Sequence, residues 1–177
     1  MKDIILLVVD VQAQMVLWHP YNENNVIGNI KHLICCCREK GIEVVYVRHD
    51  DGPGSELERG TDGWQIFHEI APQGEHVFDK EYNSAFLHTG LKEYLGSRNI
   101  NKIILVGMQT EYCIDATCKA AFEHGFSIII PEQTNTTFDN QYMNAKTLYE
   151  FYHYQIWHNR FARVLPMEKV EQLIQEA

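Results

Sequence analysis

The chain has 177 residues, 45% hydrophobic and 22% charged, a make-up that fits one globular domain over 1–177. Its 15 basic and 24 acidic side chains leave a net charge of −9, which weighs against a nucleic-acid partner, whose binding surface is basic. No apolar stretch is long enough for a bilayer, and acids lie inside and just after the first apolar run, so a cytoplasmic protein with no membrane partner is expected.

The run IILLVVD (4–10) is short and continuously apolar, the pattern of a strand covered on both faces. A polar, aromatic loop follows. Val26, Ile30, Leu33 and Cys37 then recur at helical spacing, and Gly41 closes that helix as a C′ glycine. Cys35, Cys36 and Cys37 are consecutive and the total of five is odd, so neither a zinc knuckle nor a disulfide framework is indicated. These three, with Cys118, read as helix residues packing as small hydrophobes. IEVVYVRHD (42–50) is a second strand, and 51–75, rich in Gly, Pro and charge, is an elaborated surface loop with at most one helical turn. HVFDK (76–80) is a short third strand, followed by a helix over 87–99. KIILVG (102–107) is a fourth strand, a helix follows over about 112–125, and FSIIIPE (126–132) is a fifth strand. An aromatic helix around 139–154, a last strand in RFARVLP (160–166) and a closing helix (167–177) complete the chain.

Strands alternating with helices predict a parallel sheet covered on both sides with right-handed crossovers. Ligands of such sheets bind beyond the carboxyl ends of the strands. Asp10 ends the first strand, Lys80 the third, and Cys113 stands just past the fourth, where GMQTEYC begins a helix. The three have the parts of an activated thiol. An ammonium and a helix start both favour thiolate, Asp10 can carry the proton, and the turn can offer N–H groups to an oxyanion. Taken singly, Asp10 reads equally as a cap, Lys80 as a solvated charge and Cys113 as a packed thiol.

The segments LLVVDVQ, FDKEYNSAF and LVGMQTEYCIDATCKAA, in this order and spacing, resemble the isochorismatase-like cysteine hydrolase superfamily, which includes nicotinamidases and N-carbamoylsarcosine amidases. The resemblance covers about residues 4–135. It implies a Rossmann-like three-layer α/β/α fold with a six-stranded, mostly parallel sheet, assembled as a homo-oligomer, dimer or tetramer. It also implies a catalytic triad of Asp10, Lys80 and Cys113, an oxyanion hole from the backbone amides of Gln109 and Cys113, and a cis peptide between Met108 and Gln109. The reaction implied is hydrolysis of a small-molecule amide through a thioester, without a cofactor.

Nicotinamidases of that superfamily carry an Asp-x-His metal motif after the second strand. Here His49, Asp50 and Asp51 are adjacent, and neighbours on an extended backbone point to opposite faces, so no metal is expected. Gln12, Trp18, Trp64, Tyr82, Asn83, Phe86 and Tyr112 fall in or beside the loops at the carboxyl edge and are the expected substrate-binding residues. Two rival readings stay open: an isochorismatase-type vinyl ether hydrolase, and a non-hydrolytic redox-responsive protein built on a low-pKa thiol.

Overall fold

The computed structural model describes residues 2–177. In chain order the strands are β1 (Ile4–Val9), β2 (Glu43–His49), β3 (His76–Lys80), β4 (Lys102–Met108), β5 (Ser127–Pro131), β6 (Asn135–Thr136) and β7 (Arg163–Leu165). The helices are α1 (Ala13–Leu17), α2 (Glu23–Glu39), α3 (Leu91–Ser97), α4 (Asp115–Glu123), α5 (Ala145–Glu150) and α6 (Met167–Glu176). A 3₁₀ turn lies at His68–Ile70, and π-helical stretches lie at Thr110–Ile114 and Phe151–Trp157. Among the described residues no helix is long and apolar enough to cross a membrane.

All strand pairings are parallel, in the order β3-β2-β1-β4-β5-β7, with β6 beside β4. The sheet thus has seven strands where six were expected. β5 pairs with β4 only over Lys102, Ile103 and Ile104; the chain turns after Pro131 and returns as β6 beside Gly107 and Met108. Two polar residues carry no apolar alternation, so sequence pattern passes over them.

All six residues of β1 are buried, because helices cover both faces of the sheet. Alternation divides them. Ile4, Leu6 and Val8 pack with Ile30, Leu33 and Cys37 of α2 and Val170 and Ile174 of α6. Ile5, Leu7 and Val9 pack with Leu91 and Leu95 of α3 and with Cys118 and Ala121 of α4. Cys37 and Cys118 are therefore core hydrophobes as expected, whereas Cys35 faces solvent.

Gly107 shows how closely β1 and β4 approach. Its φ is +130°, and a Cβ there would lie 1.9 Å from the Val9 carbonyl oxygen, so only glycine fits. The long 51–75 loop is tied to the segment after β1, with Ala13 N–H donating to Gln65 O at 2.8 Å and Phe67 N–H to Val11 O at 2.9 Å. The aromatic helix predicted over 139–154 begins later, at Ala145, and widens into the π stretch ending at Trp157. The Asn144 side chain caps it by accepting from Thr147 N–H at 2.8 Å, which fixes the later start.

Candidate active site

Parallel pairing delivers the three predicted residues to one end of the sheet. Asp10 follows β1 directly, with φ +54° and its N–H bonded to Val47 O at 2.9 Å. Aspartate tolerates this left-handed conformation better than most residues. Lys80 ends β3 in register with His49 of β2. Cys113 lies in the π-helical turn, one turn past the end of β4, and the Met108–Gln109 peptide is cis. π turns recur at functional sites because they re-aim one side chain without ending the helix.

The head groups meet. Lys80 Nζ lies 2.6 Å from Asp10 Oδ2, 3.2 Å from Cys113 Sγ and 3.0 Å from His49 Nδ1. Asp10 and Lys80 are each 2% exposed and Cys113 is 8% exposed. The Asp10 carboxylate is buried and faces the Cys113 thiol as well as the Lys80 ammonium. Cys113 Sγ also lies 3.8 Å from Asn83 Oδ1.

Burial pushes the Cys113 thiol well above its usual range, the charge of Asp10 adds to the rise, and Lys80 opposes both without reversing them. Burial thus favours the protonated thiol, and Lys80 is the neighbour that favours the thiolate. Burial also acts against the Lys80 ammonium, but the charges of Asp10 and Cys113 outweigh it and hold Lys80 above the ordinary lysine range. While Cys113 keeps its proton, Asp10 supplies that stabilisation. The arrangement can pass a proton from sulfur to Asp10 as the sulfur attacks, with Lys80 next to the charge that develops.

A cavity of about 160 Å³ opens over the thiol, lined by Asp10, Gln12, Met15, Trp18, His49, Asp51, Leu57, Asn83, Gln109, Tyr112 and Cys113. It holds two carboxylates and no lysine or arginine in its lining. A wider depression of about 670 Å³ lies at the opposite end of β2 and β3. There Arg38 pairs with Glu75 and Arg98 with Glu43, and no nucleophile is present.

Of the expected substrate-binding residues, Gln12, Trp18, Asn83 and Tyr112 line the cavity and Trp64, Tyr82 and Phe86 do not. Trp64 is buried under the Arg48 guanidinium, 3.4 Å from its ring centroid. Phe86 stacks on Phe126 in the α4-side core, and Tyr82 packs edge-on against His88 at the surface. Gln12 is a brace: its amide donates to His49 O at 2.9 Å and Trp64 O at 3.0 Å, and its oxygen accepts from His49 N–H at 2.8 Å. The loop bearing Asn83 is held to α4 by Ala85 N–H donating to Thr117 Oγ1 at 3.0 Å.

Two histidines carry roles that spacing did not reveal. His49 contacts Lys80 directly. His153 is wholly buried; its Nδ1 lies 2.8 Å from Tyr149 O, and its Nε2 lies 3.1 Å from Asn135 Nδ2. Asn135 Oδ1 in turn accepts from Thr110 Oγ1 at 2.8 Å, at the start of the turn that carries Cys113. Burial lowers His153 to about 4, so it is neutral, Nδ1–H donates and Nε2 accepts. The only signal in the sequence was a histidine among aromatics.

Among the described residues one set of potential metal ligands gathers: atoms of Asp10, His49 and Cys113 lie within 4.8 Å of one another. The Lys80 ammonium is bonded to all three, and Asp50 turns away to accept from Gly52 N–H and Arg59 N–H at 3.0 and 3.1 Å. The cation of this cluster is the lysine, and the residues do not fit a metal centre.

The family model for the Isochorismatase domain matches residues 5–166. The chain is 30% identical over 137 residues to a streptothricin hydrolase of Streptomyces noursei, covering 76% of this chain and 50% of that protein, so it spans half of that relative's length. It is 28% identical over 155 residues to nicotinamidase 3 of Arabidopsis thaliana, covering 79% of this chain and 76% of that one. A solved structure of an isochorismatase-family protein from Chromobacterium violaceum superposes with a TM-score of 0.90 at 25% identity, over 99% of this chain and 95% of that one.

Proposed function

The chain belongs to the isochorismatase family of hydrolases, and from that premise we propose that it is a cysteine-dependent amidase that cleaves a small-molecule C–N bond through a thioester on Cys113. The observation that carries this reading is the buried cluster in which the Lys80 ammonium meets both the Asp10 carboxylate, at 2.6 Å, and the Cys113 sulfur, at 3.2 Å. A carboxylate beside the thiol is the acceptor its proton needs.

In this mechanism the sulfur bonds to the amide carbon as its proton passes to Asp10. The carbonyl oxygen becomes an oxyanion beside the backbone N–H groups of Gln109 and Cys113. The C–N bond breaks, and the amine leaves with the proton from Asp10. Water then gives a proton to Asp10 and its oxygen to the thioester carbon; the acid departs and the thiol is restored. Lys80 stays charged throughout and balances the sulfur as it gains charge. The nicotinamidase relative is named for an amide, which supports a C–N bond as the target.

The cavity supports a narrower substrate class. Trp18, Tyr112, Met15 and Leu57 offer apolar and planar surface; Lys80 balances Asp10, while Asp51 has no lysine or arginine beside it in the lining. A substrate carboxylate about 6 Å from Asp51 near the protein surface is repelled by about 1–3 kcal/mol, roughly 5- to 150-fold in kcat/KM. The substrate is thus a small neutral or cationic amide. A redox sensor is disfavoured because Cys118, the cysteine nearest to Cys113 in the chain, is wholly buried with its thiol pushed up to about 12.

The test is amine release from a panel of neutral, cationic and carboxylated amides. Turnover of the first two classes, lost in Cys113→Ala, supports the reading. Undiminished Cys113→Ala turnover, or cleavage of a vinyl ether in place of amides, would return the family's ether chemistry as the better account.

A further inference from the structure

Lysine 80 has three N–H bonds and no acceptor. Within hydrogen-bond distance stand three partners: Asp10 Oδ2 at 2.6 Å, Cys113 Sγ at 3.2 Å and His49 Nδ1 at 3.0 Å. The lysine side chain is 0% exposed, so no solvent replaces a lost partner cheaply. Because the ammonium can only donate, His49 Nδ1 must accept. The ring proton then sits on Nε2, which donates to Asp51 Oδ1 at 3.1 Å. The tautomer follows from the partners alone.

The rest of His49 is equally fixed. Its N–H and its C=O are both bonded to the Gln12 side chain, at 2.8 and 2.9 Å. Register places it directly beside Lys80 across β2 and β3. The ring is mostly covered, with the His49 side chain 15% exposed. A residue anchored at both main-chain groups and both ring nitrogens does not drift, and it gives its neighbour one position. The charged or titratable groups facing the ring are Lys80 from β3, Asp51 from its own loop, Asp10 from the end of β1 and Cys113 from the π turn.

We propose that His49 is a positioning residue: its neutral imidazole, held by Asp51, takes the third N–H of Lys80 and keeps the ammonium against the Cys113 sulfur. His49 acts through Lys80. The inference rests on the reading of Asp10, Lys80 and Cys113 as the reacting set, and it extends that set by a fourth side chain whose contribution is geometric. Lys80 opposes the rise of the thiol, so a displaced lysine makes Cys113 a weaker acid.

The test uses the full chain in wild-type, His49→Ala and His49→Asn forms, and it needs no substrate. Iodoacetamide labels Cys113 at a rate read from its tryptic peptide by mass spectrometry at one fixed, mildly alkaline pH. In His49→Ala the labelling rate falls about tenfold. In His49→Asn the amide oxygen takes the place of Nδ1, and the rate stays at the wild-type value. With an amide that the wild type turns over, His49→Ala lowers kcat about 100-fold and leaves KM within about threefold, and His49→Asn recovers most of kcat. An unchanged labelling rate in His49→Ala, or an equal fall in both variants, overturns the proposal. Wild-type protein that labels as described but turns over no amide leaves His49 as assigned and refutes the amidase reading instead.

Discussion

Acidifying the protein from pH 7 to pH 4 should cost it the contribution of one buried histidine, and the size of that loss follows from the structure. His153 lies wholly inside, packed against the rings of Tyr149 and Trp157, and burial lowers it from 6.5 to about 4. In the unfolded chain it takes up a proton near 6.5, whereas the native state refuses one until about 4. The unfolded state therefore binds more protons in this window, and stability falls as the pH falls. The contribution is complete above about 6.5, and about 3 kcal/mol of it is gone by pH 4. Carboxylates titrate in the same range, so the assay is a difference. Urea unfolding of wild type and His153→Gln is measured at pH 7 and pH 4, and the variant, which has no proton to gain there, should lose about 3 kcal/mol less than wild type. Equal acid losses in the two proteins would refute the reasoning. Protonation also removes the acceptor for Asn135 Nδ2, so the bonds running through Asn135 to Thr110 should loosen in the same window.

Asp10→Asn removes the anion from a lysine that is 0% exposed, and should destabilise by about 3–5 kcal/mol while abolishing turnover. The double variant Asp10→Asn/Lys80→Met should regain most of that stability in urea titrations and none of the activity; a single variant as stable as wild type would deny the pairing. Gly107→Ala drives a Cβ to 1.9 Å from the Val9 oxygen and should yield no folded protein. Gly96→Ala, inside α3 with nothing within 4 Å of the new Cβ, should gain up to about 1 kcal/mol by the same urea measurement. Asp51→Asn should raise kcat/KM for a carboxylated amide about tenfold relative to its neutral analogue, and an unchanged ratio would remove Asp51 from substrate selection.

The sheet was legible because β1, β2, β4 and β5 each hold a short continuous apolar run, the pattern of strands covered on both faces. The gathering of Asp10, Lys80 and Cys113 was legible because parallel strands share one carboxyl end. What escaped depends on contacts across the fold. β6 exists only because β5 stops short of the end of β4. Trp64 and Phe86 read as cavity aromatics from their loops, but Arg48 covers one and Phe126 holds the other. The alternation of its own strand says nothing of His49's decisive neighbour, Lys80, 31 residues on. The charges near the thiol are legible in the sequence, whereas its burial, which pushes it up, depends on the packed fold.

The claim on which the mechanism stands is that the substrate's acyl group becomes bonded to Cys113 sulfur. Acid quenching during turnover, followed by intact-mass measurement, tests this most directly. The expected product is protein heavier by the substrate less its leaving amine, with the added mass on the Cys113 peptide and absent from Cys113→Ala. Full-rate amide hydrolysis by Cys113→Ala, with no added mass in wild type, would contradict it.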